Sequence, residues 1–175
     1  MPASTTTSST IPVAASLVLR DTGLGDAAFG ADPGEVIAYF TSILGPPTAD
    51  SGWADPFSSF GICPGTEVRG VTWADLTVLF SDDSTVLSGR RHFFNYLYGP
   101  PFGASIQPEG MRTERGIGVG SSVADLLAAY PEAQVYPEDL YGPYFVINEE
   151  LIGFLTTTEP DGTILSFIGG IGCGE

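Results

Sequence analysis

The chain has 175 residues, 43% hydrophobic and 11% aromatic, which suffices for one well-ordered core and is too short for two generous ones. Charged residues make up only 15%, against roughly 25% in an average soluble domain. With 21 acids, six arginines and no lysine, the net charge is −15, and the acids are spread along the chain, so the field repels phosphate backbones and anionic lipid.

Met1 to Thr10 (MPASTTTSST) is uncharged and rich in Ser and Thr, and Ile11 to Leu19 is too short an apolar run to span a bilayer. A flexible segment is expected over residues 1–16 and a single domain over 17–175. Such a composition matches the stalk that follows a removed signal or a lipid-anchored cysteine. The expected location is therefore secreted or cell-envelope associated, with the signal or anchor outside this chain. The alternative is a disordered cytosolic tail.

The first helix is announced by Asp32-Pro33-Gly34-Glu35: a cap, a proline at the first helical position and an acid placed for a capping box. Val36, Ile37, Phe40, Ile43 and Leu44 make one apolar stripe, and Gly45-Pro46-Pro47 ends it. A long loop, Pro46 to Pro64, follows. Strands are then expected at Glu67 to Trp73, Leu76 to Phe80 and Arg91 to Tyr98, with Asp82-Asp83 in a hairpin tip and a second long loop from Gly99 to Gly110. Val119-Gly120-Ser121-Ser122 followed by Asp125 repeats the helix-start pattern, with Val123, Leu126, Leu127 and Tyr130 on one face and Pro131 as the stop. Tyr144 to Asn148, Leu151 to Thr157 and Thr163 to Ile168 read as a three-stranded meander, turned by Glu149-Glu150 and by Glu159-Pro160-Asp161-Gly162.

A helix followed by antiparallel strands, twice over, predicts an α+β fold: two related halves, about 17–98 and 111–175, packed as one domain. Phe29 to Phe40 laid on Val119 to Tyr130 shares the cap, the acid and the stripe, although only Gly30/Gly120 and Ala38/Ala128 are identical. Cys63 in ICPG and Cys173 in GCGE both sit in Gly-rich turns where two sulfurs can meet, so a disulfide is expected; two free thiols are the alternative.

The segments FGADPGEVIAYFTSILGPP and VGSSVADLLAAYP, each leading into a meander, resemble the tandem helix-plus-sheet repeat of the secreted β-lactamase inhibitory protein family. They are similar also to modules of small outer-membrane assembly lipoproteins and to exported proteins of GC-rich bacteria. The resemblance implies a non-enzymatic binding domain that presents a concave sheet face to a protein partner. This chain departs from the inhibitor family in its cysteines, having one candidate pair across both halves, and Asp82-Asp83 matches the inhibitory loop in shape only.

Catalytic sets are sparse. Gly116-Ile117-Gly118-Val119-Gly120 precedes a helix but has neither the Lys nor the spacing of a phosphate cradle, so a tight turn is expected there. One histidine and two cysteines supply zinc poorly, and Ser81-Asp82-Asp83-Ser84 and Glu138-Asp139 hold too few oxygens for a calcium loop. No cofactor or metal is expected. His92 falls on an expected strand beside Arg91, Phe93 and Phe94, where it is expected half buried or exposed, with no GxSxG elbow in the chain. A glycosidase-type carboxylate pair stays open, because its criterion is spatial. Trp53, Phe57 and Phe60 in one long loop, and Tyr136, Tyr141 and Tyr144 in its counterpart, are the candidate binding surface, with packing of the loops onto the domain as the alternative. The expectation is an exported, non-enzymatic binding or scaffold module of the cell envelope whose partner is another protein, not nucleic acid; the alternative is a secreted hydrolase acting through two carboxylates, with a glycan as its candidate substrate.

Overall fold

The structure is a computed structural model that describes residues 13–99, 106–137 and 140–174. Glu138-Asp139, most of the Ser/Thr-rich segment and part of the second long loop lie outside the described residues. A 3-10 turn at Val13–Ser16 leads into three short strands, β1 (Leu19–Arg20), β2 (Gly23–Leu24) and β3 (Ala27–Ala28). Helix α1 (Pro33–Leu44) follows, then β4 (Ala49–Asp50), β5 (Phe57–Ser58), β6 (Gly61–Ile62), β7 (Val68–Trp73), β8 (Leu76–Asp83) and β9 (Ser88–Tyr98). Helix α2 (Val123–Ala129) precedes β10 (Gln134–Tyr136), β11 (Tyr144–Asn148), β12 (Leu151–Leu155) and β13 (Ile164–Gly169).

Both helices start as their sequences dictate. The Asp32 carboxylate accepts the Gly34 and Glu35 N–H groups at 2.8 and 3.3 Å. Ser122 Oγ accepts the Asp125 N–H at 3.0 Å and donates to the Asp125 carboxylate at 2.7 Å, so the free donors of each first turn find an acceptor. Gly30 and Gly120 both have positive φ, 92° and 84°, just ahead of those caps.

The fold is α+β. Eight strands form one antiparallel sheet in the order β10-β11-β12-β13-β9-β8-β7-β4, and β1-β2-β3 and β5-β6 are separate small sheets. The meander β7-β8-β9 and the meander β10 to β13 are joined edge to edge where Phe167, Ile168 and Gly169 pair with Tyr98, Leu97 and Tyr96. Asn95, 1% exposed, clamps that seam by donating its amide N–H to the carbonyls of Gly169 and Gly170 at 2.8 and 3.1 Å.

One face of the sheet carries the main core. Val36 and Phe40 of α1 and Val123 and Leu126 of α2 share a cluster with Trp73, Val78, Phe80, Phe93, Phe145 and Phe167. Phe40 meets the rings of Trp73 and Phe93 edge-on at 5.7 and 6.3 Å; truncating a buried Phe to Ala in such a setting costs about 3–5 kcal/mol.

The expected tip Asp82-Asp83 is instead the last pair of β8, and the turn is built from residues 84–87. His92 is fully buried, where a half-buried or exposed position was expected. Phe80 pairs with Phe93 and Leu79 with Asn95, so Phe94 is an extra residue that bulges β9. Next to the bulge, His92 turns in: its Nδ1 lies 2.6 Å from the Arg90 carbonyl and its Nε2 2.6 Å from Ser84 Oγ. The carbonyl can only accept, so Nδ1 donates to it, and Nε2 and the Ser84 hydroxyl share the second hydrogen bond.

Candidate functional site: the open face of the sheet

The side of the sheet turned away from the helices is covered over only part of its width. There, Val68, Leu79 and Phe94 form a second small core with Cys63, against which Phe60 and Cys173 pack. The cover is the β5-β6 hairpin, fixed by the Cys63–Cys173 disulfide and by antiparallel bridging of Ile62 to Gly174, with N···O distances of 2.7 and 2.9 Å. The Phe60 ring lies over Gly70, where an added Cβ would stand 2.2 Å from its tip. A side chain at position 70 would have to displace that ring.

Beyond Phe60 the face is open. Register places Val146, Ile152, Ile168, Leu97 and Thr77 opposite one another across β11, β12, β13, β9 and β8. A parallel row runs from Tyr136 through Tyr144 and Phe154 to Ser166. Leu97 is 36% exposed, and Ile152, Phe154 and Ile168 are half-buried. At the seam a mainly apolar groove of about 310 Å³ is lined by Phe60, Thr77, Leu97, Phe154 and Ile168, with Ala74 and Asp75 at one end. Ala74 has φ 53°, a left-handed conformation disfavoured for a residue with a Cβ. The turn it makes is held from outside: Asp75 N–H donates to the Gln107 carbonyl, Asp75 Oδ2 accepts the Gln107 N–H, and the Asp75 carbonyl accepts the Gly99 N–H.

The six aromatic residues singled out from the sequence are dispersed. Trp53 is half-buried against the main core, under the Arg91 guanidinium at 4.3 Å. Phe57 is 74% exposed on the β5-β6 hairpin, and Phe60 forms the groove wall. Tyr136 and Tyr144 stack on each other with centroids 4.9 Å apart, and Tyr141 is exposed nearby. Sequence reasoning missed Leu97, Ile152, Phe154 and Ile168. A usable signal existed: β12 and β13 are apolar at both parities although each antiparallel sheet face normally alternates with a polar one.

A second cleft, about 380 Å³ and polar, lies by β1, the C-terminal end of α2 and the β11-β12 turn. Its charges are matched internally: Arg20 pairs with Glu114 at 2.8 Å, Arg115 with Glu132 at 3.4 Å, and Asn148 donates to Asp21. The Arg115 guanidinium also sits 4.6 Å over the Tyr130 ring.

Among the described residues, no group of three or more His, Cys, Asp or Glu is placed to hold a metal ion, and no helix is long and apolar enough to cross a membrane. The Asp82 carboxylate is held below its usual range by the Thr66 hydroxyl and by the Thr66 and Glu67 N–H groups, which tie the 64–67 loop to β8. Asp50 is held low by its two-pronged pairing with Arg69. No protein-family model, no curated protein and no solved structure matches the chain.

Proposed function

We propose that the protein is an exported, non-enzymatic binding module of the cell envelope that engages a protein partner through the open face of its sheet. The observation that carries this reading is the apolar groove at the seam, walled by a hairpin that a disulfide fixes in place. A contiguous row of half-buried and exposed apolar side chains on an otherwise acidic chain supports an interaction site there. The downward displacement of Asp50 and Asp82 is the reverse of what a general acid needs.

Two finer points belong to the same proposal. A disulfide favours an oxidising compartment, in keeping with export. The halves are related as a repeat: Gly30 N–H donates to the Phe93 carbonyl and Gly120 N–H to the Ile164 carbonyl, both at 2.8 Å, while Ala31 and Ser121, the residues after them, accept the Phe93 and Ile164 N–H groups. Each closing strand is thus hooked to the start of its own half's helix in the same way.

Site-specific photo-crosslinking in the producing cell tests the function. A photoreactive residue at Leu97 is expected to trap one protein species, and the same residue at Ala38, on the exposed side of α1, is expected to trap none. Equal trapping from both positions, or none from Leu97, overturns the assignment of the face.

A further inference from the structure

We infer that the occupant of the open face is a cationic protein segment, whose apolar side chains seat in the groove while its Lys and Arg side chains reach the acidic turns at both ends of the sheet. This rests on the open face being the binding surface and adds the chemistry of the partner. The topology places acids at both rims. At one end lie Asp75 in the β7-β8 turn and Glu159 and Asp161 in the β12-β13 turn; at the other lie Asp82 and Asp83 at the end of β8 and Glu149 and Glu150 in the β11-β12 turn.

Four of the six arginines are paired away from this face, Arg112 donates to the Gly116 carbonyl, and Arg90 is exposed on β9 near the Asp82-Asp83 end. Strand alternation puts Arg69 with Val71 and Trp73, and Arg91 with Phe93, on the helix side, where they pair with Asp50 and Glu67. Arg20 and Arg115 are in the polar cleft, paired with Glu114 and Glu132. Apart from Arg90 at one rim, the open face has an apolar centre and rims of negative charge within a net charge of −15, a pattern that steers and holds a partner of opposite sign. A second copy of this chain would set the same acidic rims against each other, and an anionic lipid surface or nucleic acid would be repelled. The sheet edges offer no competing mode, since β4 and β10 have two and three residues, too short for strand addition.

The test uses two amphipathic peptides with one apolar pattern, Lys at every polar position in the first and Glu in the second, titrated into the disulfide-bonded protein at low and high salt. The Lys peptide is expected to bind and the Glu peptide not. Leu97→Ser, at a partly exposed position, is expected to weaken the Lys peptide by about tenfold, with an unchanged circular dichroism spectrum. Neutralising the turns (Glu149→Gln, Glu150→Gln, Glu159→Gln, Asp161→Asn) is expected to weaken it by about tenfold at low salt and to flatten its salt dependence. Binding of the Glu peptide as tightly as the Lys peptide, with both sensitive to Leu97→Ser, overturns the cationic partner and leaves the open face standing. Lys-peptide binding that is unaffected by Leu97→Ser in a folded protein overturns both, and absence of binding by either peptide overturns the cationic partner.

Discussion

Gly30 and Gly120 donate the same hydrogen bond, 2.8 Å long, from the residue two before each helix cap to the closing strand of the meander that follows. Both hold positive φ, and an added Cβ would meet only Val86 Cγ1 at 3.4 Å in one case and nothing within 4 Å in the other. The price of a substitution is then backbone strain alone. Gly30→Ala and Gly120→Ala are each expected to lower stability by about 1–2 kcal/mol, and the double variant by close to the sum. Urea midpoints at constant slope measure it; a loss confined to one glycine would separate the two halves energetically.

Asn95 holds the seam by one side chain that satisfies two carbonyls. Asn95→Ala removes the donor and leaves those acceptors buried, so a loss of about 1–3 kcal/mol is expected. Hydrogen exchange should speed up first at the end of β13, where the clamp acts, and later in β7 and β8.

Two tyrosines set the alkaline limit. Burial raises Tyr96, whose hydroxyl donates to the Arg20 carbonyl, and pushes Tyr98 up to about 12. Below the usual value of about 10 both are neutral folded or unfolded, so stability is at its full value. Above it the unfolded chain ionises and the folded one resists, so stability falls as pH rises from about 10 toward 12. On the acid side Asp50 and Asp82 act in the opposite sense, contributing stability above the usual carboxylate value and losing it as pH falls through their lowered values. Tyrosinate absorbance followed beside circular dichroism checks the alkaline limb: of the seven tyrosines, Tyr98 should ionise late, at about 12, and Tyr96 only together with unfolding.

The groove wall is separable from the main core. Removing the disulfide in Cys63→Ser/Cys173→Ser opens a loop of 110 residues, for which the chain-entropy model gives a loss of about 4–5 kcal/mol. Gly70→Ala is milder, because the atoms its Cβ would meet are the tip of the Phe60 ring and not backbone. Chemical-shift changes in that variant should centre on Phe60 and the groove, with the Phe40, Trp73 and Phe93 cluster left as it is.

The helices were legible because caps and stripes are local: Asp32 and Ser122 each act within three residues of themselves. The six longer strands were legible from their aromatic and β-branched runs. Strands β1 to β6 and β10, two or three residues each, carry no period to read. The seam was hidden for another reason, since pairing of Tyr96 with Gly169 joins residues far apart in sequence. So was the open face: alternation shows which residues share a side of a strand but not whether that side is covered, and Leu97 and Phe93 look alike until the sheet is assembled. The pairing of Cys63 with Cys173 was readable because the chain offers one combination.

That single crosslink also sets an order of events. Cys173 follows Cys63 by 110 residues, so the hairpin bearing Phe60 cannot be locked until both meanders have been synthesised and a thiol oxidant has been met. The wall of the open face is covalently closed last, after both meanders exist, and a reduced chain carries the sheet without that crosslink.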